Sequence, residues 1–282
     1  MKVVIPAAGL GVRFLPATKS MPKEMLPVVD RPVIQYVVED AAASGSDDVL
    51  IVTGRTKRAI EDHFDQNPEL DHVADLPVLA DLEALAEKVR LHFIRQRAPL
   101  GLANAVAYAE RHVGREPFGV LLGDTINVCD PPLLSQLRNR FDALGGKSSV
   151  LAIETVPDEK VGDYGIVGGP EVQPGVVEIH TLVEKPTLVE APSRLGITGA
   201  YILTPGIFDA IRETAPGRNG EVQLTDALAR LARKEKVYGA TFQGRRYDIG
   251  DRFLWLRTNV EFALRDPELG DRLRAYLAEP KG

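Results

Sequence analysis

From residue 2 to residue 122, short apolar runs alternate with stretches of helical character, and this alternation restricts the fold more than any other feature. Lys2 to Ala7 is an apolar run leading into glycines, and Asp48 to Thr53, Leu91 to Arg95 and Gly119 to Leu122 are further strand-type segments. Asp48 to Thr53 (DVLIVT) is almost continuously apolar, as a strand buried on both faces must be. Between them lie helix-type segments at Pro32 to Ser44, Thr56 to Phe64, Asp81 to Val89 and Leu102 to His112. The first has Pro32 at its opening turn and Gly45 just past its end. Strands and helices alternating at this spacing imply crossover connections and parallel pairing. The expected fold class is therefore α/β, a Rossmann-like doubly wound mixed, mostly parallel sheet flanked by helices. In such a sheet ligands bind beyond the carboxyl ends of the strands.

The second half changes character. Ser148 to Thr155, Gly165 to Val167, Val176 to Glu184 and Ile197 to Leu203 read as strands joined by short turns, a smaller antiparallel β extension. Helices return at Pro205 to Thr214, Glu221 to Lys234 and Phe253 to Leu277, the last broken near Asp266-Pro267. Asn67 to Leu76 reads as an exposed insertion and not a domain boundary. One domain of 282 residues is expected, in two parts, about 1–130 and about 131–282, the second carrying the C-terminal helices. A net charge of −6 makes nucleic acid or a membrane surface a poor partner, and no apolar run approaches the roughly 18–20 residues that cross a bilayer. The apolar stretch after Met1 is too short for a signal peptide, and Cys129 is the only cysteine, which suits a reducing, cytoplasmic setting.

The charge is uneven. Residues 1–31 carry Lys2, Arg13, Lys19, Lys23 and Arg31 against Glu24 and Asp30, a local excess of three positive charges. A basic zone on an acidic chain suits a compact polyanion such as a triphosphate. It lies on Ala7-Ala8-Gly9-Leu10-Gly11-Val12-Arg13-Phe14-Leu15-Pro16, continuing to Pro22-Lys23-Glu24-Met25-Leu26-Pro27. Glycines directly after a first strand let the backbone approach a ligand and aim N–H groups at phosphate oxygens. Two common versions of such a loop are excluded. A dinucleotide turn needs a third glycine opening a helix, where Phe14-Leu15-Pro16 stands, and a P-loop needs Gly-Lys-Ser/Thr, which is missing.

The segment resembles the signature of the sugar-1-phosphate nucleotidyltransferase family, and most of all its bacterial branch acting on UTP and glucose 1-phosphate. Further matching stretches follow in order: 59–65, 94–96, Leu121-Leu122-Gly123-Asp124, Tyr164-Gly165-Ile166-Val167, Val183-Glu184-Lys185-Pro186, 220–226 and Arg246-Tyr247-Asp248-Ile249-Gly250. The resemblance implies an enzyme that joins the two substrates into UDP-glucose and releases pyrophosphate, with Mg²⁺ as cofactor and a homo-oligomer, dimer or tetramer, as assembly. It implies roles for single residues. Arg13 and Lys23 meet the triphosphate; Ala8, Gly9 and Gly11, with Gln96 and Gly101, hold the nucleotide; Glu24 reaches the ribose. Asp124 and Asp248 bind the metal, Gly165 and Glu184 take sugar hydroxyls, and Lys185 takes the sugar phosphate.

The residues alone leave other readings open. Asp124 after Gly123 is also what a turn uses. Asp248 could belong to a helix N-cap, and Glu184-Lys185 could be an exposed pair. Gln223 to Asp226 could be structural or lie at a subunit contact. The five histidines show no metal-ligand spacing and read as structural or exposed. The chain also departs from the family pattern. Val12 replaces a threonine, Ala103 and Asn104 replace the Gly and His usual in uridylyltransferases, and Thr125 replaces a second aspartate. The Gly101-Leu102-Ala103 form occurs in thymidylyltransferases, which keeps dTTP open as the nucleotide. A non-catalytic paralogue is the alternative of another class.

Overall fold

A computed structural model describes residues 1–67, 69–70, 77–217 and 220–279. Among the described residues, eleven strands form one sheet. Its centre runs Val237–Ala240, Ser149–Thr155, Leu195–Leu203, Phe118–Leu121, Val3–Pro6, Asp48–Thr53, Arg90–Arg95. All neighbours here pair parallel except Leu195–Leu203, which runs antiparallel to both of its neighbours. The antiparallel extension hangs on this strand and on the far edge. Gly165–Gly168 pairs with Leu195–Leu203 and with Thr181–Glu184, while Glu171–Gln173 and Val176–Glu178 form an edge hairpin.

Alternation along the strands builds two cores. Val4, Leu50 and Val52 face one side, under the helices Leu102–Ala107, Gly206–Glu213 and Leu224–Leu231. Val3, Ile5, Val49 and Ile51 face the other, under Val33–Ala43, Arg58–Phe64 and Leu133–Ala143. Successive side chains of a strand point to opposite faces, so runs such as Val49-Leu50-Ile51-Val52 fill both layers at once. This is the doubly wound arrangement expected. Among the described residues no helix is long and apolar enough to cross a membrane.

Several boundaries differ from the sequence reading, each for a local reason. The helix expected from Leu102 to His112 turns at Tyr108-Ala109 into Leu102–Ala107 and Glu110–Val113. The strand expected over Val176 to Glu184 changes partner midway: Ile179 N–H still donates to Val237 O, and His180 N–H already donates to Gly168 O. The C-terminal helix breaks where expected. Asp266 Oδ1 accepts the N–H groups of Glu268 and Leu269 and closes Arg252–Ala263 off from Gly270–Ala278. The insertion placed at Asn67 to Leu76 lies mostly outside the described residues. The helix Leu133–Ala143 and the two-stranded sheet of Thr125–Val128 with Arg245–Asp248 were not anticipated, and the second of these builds the site.

Candidate active site

At the carboxyl ends of the central strands the two halves of the chain enclose a cleft of about 480 Å³. One wall is the loop after Val3–Pro6. Gly11 has φ of 66°, and a Cβ there would sit 3.1 Å from Lys23 Cβ and 3.3 Å from Thr18 Cγ2. Only glycine lets the two passes of this loop lie so close. Thr18 Oγ1 donates to Gly11 O at 2.7 Å. Phe14, buried with Leu26, Val28, Ile126, Tyr247 and Ile249, pins the loop from below. Arg13 stays exposed above it, and its Nη1 donates to Gly250 O at 3.3 Å. Gly9 lies beside Lys23, whose Cε is 3.4 Å from where a Gly9 Cβ would be.

The floor comes from the unanticipated two-stranded sheet. Thr125 is in register with Asp248, and Ile249 N–H donates to Asp124 O at 3.0 Å, which sets the two aspartates side by side. Gly123 permits the turn, since a Cβ would meet Pro6 O at 3.1 Å. The Lys23 ammonium rests on the Asp124 carboxylate. Burial works to lower the Lys23 pKa, but the charges of Asp124, Glu24 and Asp248 outweigh it and hold the ammonium above its ordinary value. Burial, with the Asp124 charge adding to it, pushes the Asp248 carboxyl above its ordinary value. The N-cap reading of Asp248 does not hold: Asp251 caps the following helix, accepting Leu254 N–H at 2.9 Å.

The opposite wall is built on the antiparallel extension. Gly165 and Glu184 face each other across a strand pair, and a Cβ at Gly165 would lie 2.8 Å from Thr225 Oγ1 and 3.3 Å from Glu184 Oε2. Lys185 follows with φ of 44°, unusual for a residue bearing a Cβ. Its N–H donates to Tyr164 O at 3.0 Å, and its half-exposed ammonium stands 3.7 Å from Glu184 Oε1.

The cleft thus gathers Gly11, Arg13, Lys23, Asp124, Asp248, Gly165, Glu184 and Lys185 from the expected set. It does not gather all of it. Glu24 is only 1% exposed and paired with Lys57 Nζ at 2.7 Å, so its carboxylate is turned away from the cleft. Ala8 and Gly9 follow the first strand at the margin. Gln96 is buried, its Nε2 donating to Asn104 Oδ1 at 2.7 Å. Gly101, with φ of 99°, packs on the Val222 backbone, where a Cβ would lie 2.5 Å from Val222 O. Through that contact the 96–104 segment meets residues 221–225, and Gln223, Leu224 and Thr225 line the cleft beyond their part in starting a helix. Sequence reasoning gave no role to Arg246 and Tyr164, which also line it. Both sit in matched stretches next to assigned residues, and that adjacency was the available signal.

Comparison with known proteins agrees with this geometry. The family model described as "Nucleotidyl transferase" matches residues 2–258. The chain is 46% identical to the UTP–glucose-1-phosphate uridylyltransferase YngB of Bacillus subtilis, over 99% of this chain and 94% of that protein. It is also 46% identical to the UTP–glucose-1-phosphate uridylyltransferase of Streptococcus pneumoniae, over 99% and 95%. Among solved structures, a UDP-glucose pyrophosphorylase complexed with UDP-glucose superposes with a TM-score of 0.87 at 40% identity, covering 94% of this chain and 99% of that one. A UTP-bound UGPase from Acinetobacter baumannii superposes with a TM-score of 0.89 at 36% identity, covering 99% of each. The chain belongs to the nucleotidyl transferase family.

Proposed function

We propose that the chain transfers a uridylyl group from UTP to glucose 1-phosphate, giving UDP-glucose and pyrophosphate. The observation that carries the reading is the cleft itself. Cations on the first loop face a sugar-type wall of Gly165, Glu184 and Lys185 across two adjacent carboxylates. The relatives named for this reaction span nearly the whole chain.

In this reading an oxygen of the sugar phosphate attacks the α-phosphorus of UTP. A new P–O bond forms, the bond to the bridging oxygen of the β-phosphate breaks, and its electron pair leaves with pyrophosphate. The nucleophile is already anionic, so no general base is needed. The barrier is the approach of two polyanions in line, which positioning and fixed positive charge lower. Lys185 receives the sugar phosphate and Glu184 the sugar hydroxyls. Lys23 stays protonated throughout the working pH range, because its raised pKa keeps the charge on, and it meets the triphosphate. Arg13 offsets charge on the leaving pyrophosphate. Ala8, Gly9 and Gly11, with Gln96 and Gly101, form the nucleotide side, while Glu24 acts from behind, holding charge near Lys23 instead of touching the ribose.

The residues fit Mg²⁺ as cofactor. Asp124 and Asp248 offer the hard oxygen donors this ion prefers. Gly250 keeps the space before Asp248 open, since a Cβ there would lie 2.7 Å from Asp248 Oδ1. When held by the two aspartates, the ion would neutralise phosphate oxygens and keep them in line. The nucleotide half is 1–130 and the sugar half 131–282. The substrates belong to the cytoplasm, and the exposed Phe253, Leu256, Tyr276 and Leu277 on the C-terminal helices support a homo-oligomer.

The test is pyrophosphate release with glucose 1-phosphate and each nucleoside triphosphate in turn. The expected result is release with UTP, dependent on the sugar phosphate and on Mg²⁺, and its loss in Asp124→Ala. Preference for dTTP, for which Ala103 and Asn104 give the motive, would replace the uridylyl assignment. If no combination of nucleoside triphosphate and sugar phosphate gives release, the non-catalytic paralogue is left.

A further inference from the structure

At the end of the sheet opposite the cleft, two of the five histidines meet an aspartate. Asp48 opens the strand Asp48–Thr53, and its neighbour Arg90–Arg95 places His92 level with Leu50. Asp48 and His92 are thus two positions apart along one face of a parallel pair. His112 arrives over that face from the helix Glu110–Val113, and Lys2 Nζ fixes the helix there by donating to His112 O at 2.6 Å. His112 Nε2 is 2.7 Å from Asp48 Oδ1, His92 Nε2 is 3.7 Å from the same oxygen, and the ring centroids are 4.8 Å apart. One ligand atom from each residue can be chosen so that all three lie within 4.8 Å of one another. Among the described residues no other trio of His, Cys, Asp or Glu does this.

We propose that Asp48, His92 and His112 form a binding site for a transition-metal dication of the zinc class. A hydrogen-bond network explains only half of the arrangement. His112 and Asp48 are in bonding range, whereas at 3.7 Å His92 makes no hydrogen bond to the oxygen beside which its nitrogen is held. Tetrahedral zinc, with bonds of about 2.0–2.1 Å, sets its ligand atoms roughly 3.3 Å apart. The two distances to Asp48 Oδ1 straddle that spacing, and with the three ligand atoms within 4.8 Å of one another, rotation of the imidazoles would bring the set toward it. Two imidazoles and one carboxylate suit Zn²⁺, Co²⁺, Ni²⁺ or Cu²⁺, and they do not suit Mg²⁺. The donor sets therefore separate this site from the carboxylate pair in the cleft. Side-chain exposures of 47% for His92, 21% for His112 and 15% for Asp48 leave a path for the ion and room for water as its fourth ligand. The bound ion would tie the edge strand to its neighbour and to a helix, and an ion bound only by the folded chain stabilises it.

The experiment uses the full chain without a histidine tag, stripped with chelator and titrated with Co²⁺, then with Zn²⁺ in competition. The expected result is one Co²⁺ per chain with the visible absorption of a tetrahedral, nitrogen-ligated ion. Zn²⁺ should displace it, and the thermal midpoint should rise on binding. His92→Ala should weaken binding by at least the roughly tenfold that even loss of an outer-shell partner costs. His92 is half exposed, so this variant should fold, which its circular dichroism and its turnover with Mg²⁺ can verify. The double variant Asp124→Asn, Asp248→Asn should keep the Co²⁺ spectrum. Absence of binding would overturn the proposal, and so would a spectrum that survives His92→Ala and disappears in the aspartate double variant. Metal stoichiometry, visible spectrum and thermal midpoint are independent of whether the cleft uses UTP.

Discussion

Arg246 is a cation held in place by anions instead of one left free for phosphate. Its side chain is only 8% exposed, its Nε donates to Glu154 Oε1 at 3.0 Å, and its Nη2 donates to Tyr164 Oη at 2.8 Å. Its Nη1 stands 3.3 Å from Asp248 Oδ2. One guanidinium therefore joins the metal side of the cleft to the residue before Gly165 on the sugar side, which only a planar fork can do. Replacing Arg246 by Met leaves Glu154 and Asp248 partly buried without their cation. Both carboxylates are about one-third exposed, so the loss falls below the roughly 3–5 kcal/mol of a fully buried pair, and urea unfolding should show about 1–3 kcal/mol. Arg246→Lys keeps the charge and loses the fork; it should recover much of the stability while kcat stays low, and full recovery of kcat would deny Arg246 a positioning role. Gly165→Ala tests the opposite wall. Its Cβ would press on Thr225 Oγ1 and Glu184 Oε2, an overpacking of about 1–3 kcal/mol, and KM should rise for glucose 1-phosphate more than for UTP. An equal rise for both would detach Gly165 from the sugar subsite. At this scale the sequence was informative wherever chemistry and spacing were local: Arg13, Lys23, Asp124, Glu184 and Lys185 all reach the cleft. It could not reveal that Glu24, one residue from Lys23, turns inward to Lys57, because the partner lies 33 positions away.

Elements were legible in proportion to how much of their pattern is their own. Asp48–Thr53 has the bounds its apolar run implies, because a strand buried on both faces has no polar positions to blur it. Thr125–Val128 and Arg245–Asp248 are short, with Val128 and Arg245 exposed at one end, and each finds its partner more than a hundred residues away. Nothing local marks such a pair, yet it aligns the two aspartates. The trio of Asp48, His92 and His112 was hidden in the same way, since ligand spacing is visible only when ligands share an element. The helix Val33–Ala43 packs on Thr125–Val128 and carries a pH-sensitive group at this junction. Burial pushes the Asp40 carboxyl up to about 6, against which a hydrogen bond from Asn127 works. The folded value lies above the unfolded one, so the folded chain holds this proton more tightly. The stability it contributes is full below about pH 4 and is lost as pH rises through about 6, on the order of 2–3 kcal/mol. Asp40→Asn removes the titration. Denaturant midpoints should show the variant more stable than the parent at pH 8 and equal to it at pH 4. A variant no more stable at pH 8 would mean that the charged carboxylate is well satisfied where it lies.

On the scale of the molecule, the hairpin that follows the Lys23 loop is held by the far end of the chain. The parallel half and the position of the site followed from strand–helix alternation and the loop after the first strand. What stayed hidden was the return of the C-terminus, because the hairpin it meets lies more than two hundred positions away in the chain. The helix Arg252–Ala263 does expose Phe253 and Leu256, but its other side straps the hairpin of Pro27–Val28 and Arg31–Pro32. Trp255 Nε1 donates to Pro27 O at 2.9 Å, and Asn259 Nδ2 donates to the same oxygen at 3.3 Å. Asn259 Oδ1 accepts Val29 N–H at 2.9 Å, holding a valine whose φ of 60° is strained for a β-branched side chain. The hairpin follows directly on Lys23 and Glu24, and the cluster beneath it includes Phe14 from the same loop together with Trp255. Strain at Val29 persists only while its surroundings over-determine it. Asn259→Ala leaves the Val29 N–H without its acceptor, at a cost of about 1–3 kcal/mol, and lets the turn relax. Because the turn anchors the segment bearing Lys23, the loss should appear in function as well as in stability. Hydrogen exchange should quicken at residues 27–32, and kcat should fall although no residue of the cleft has changed. Faster exchange with unchanged turnover would show the strap to be a support of the hairpin alone, and Lys23 to be held by Asp124 and the glycine turn without help from the far end of the chain.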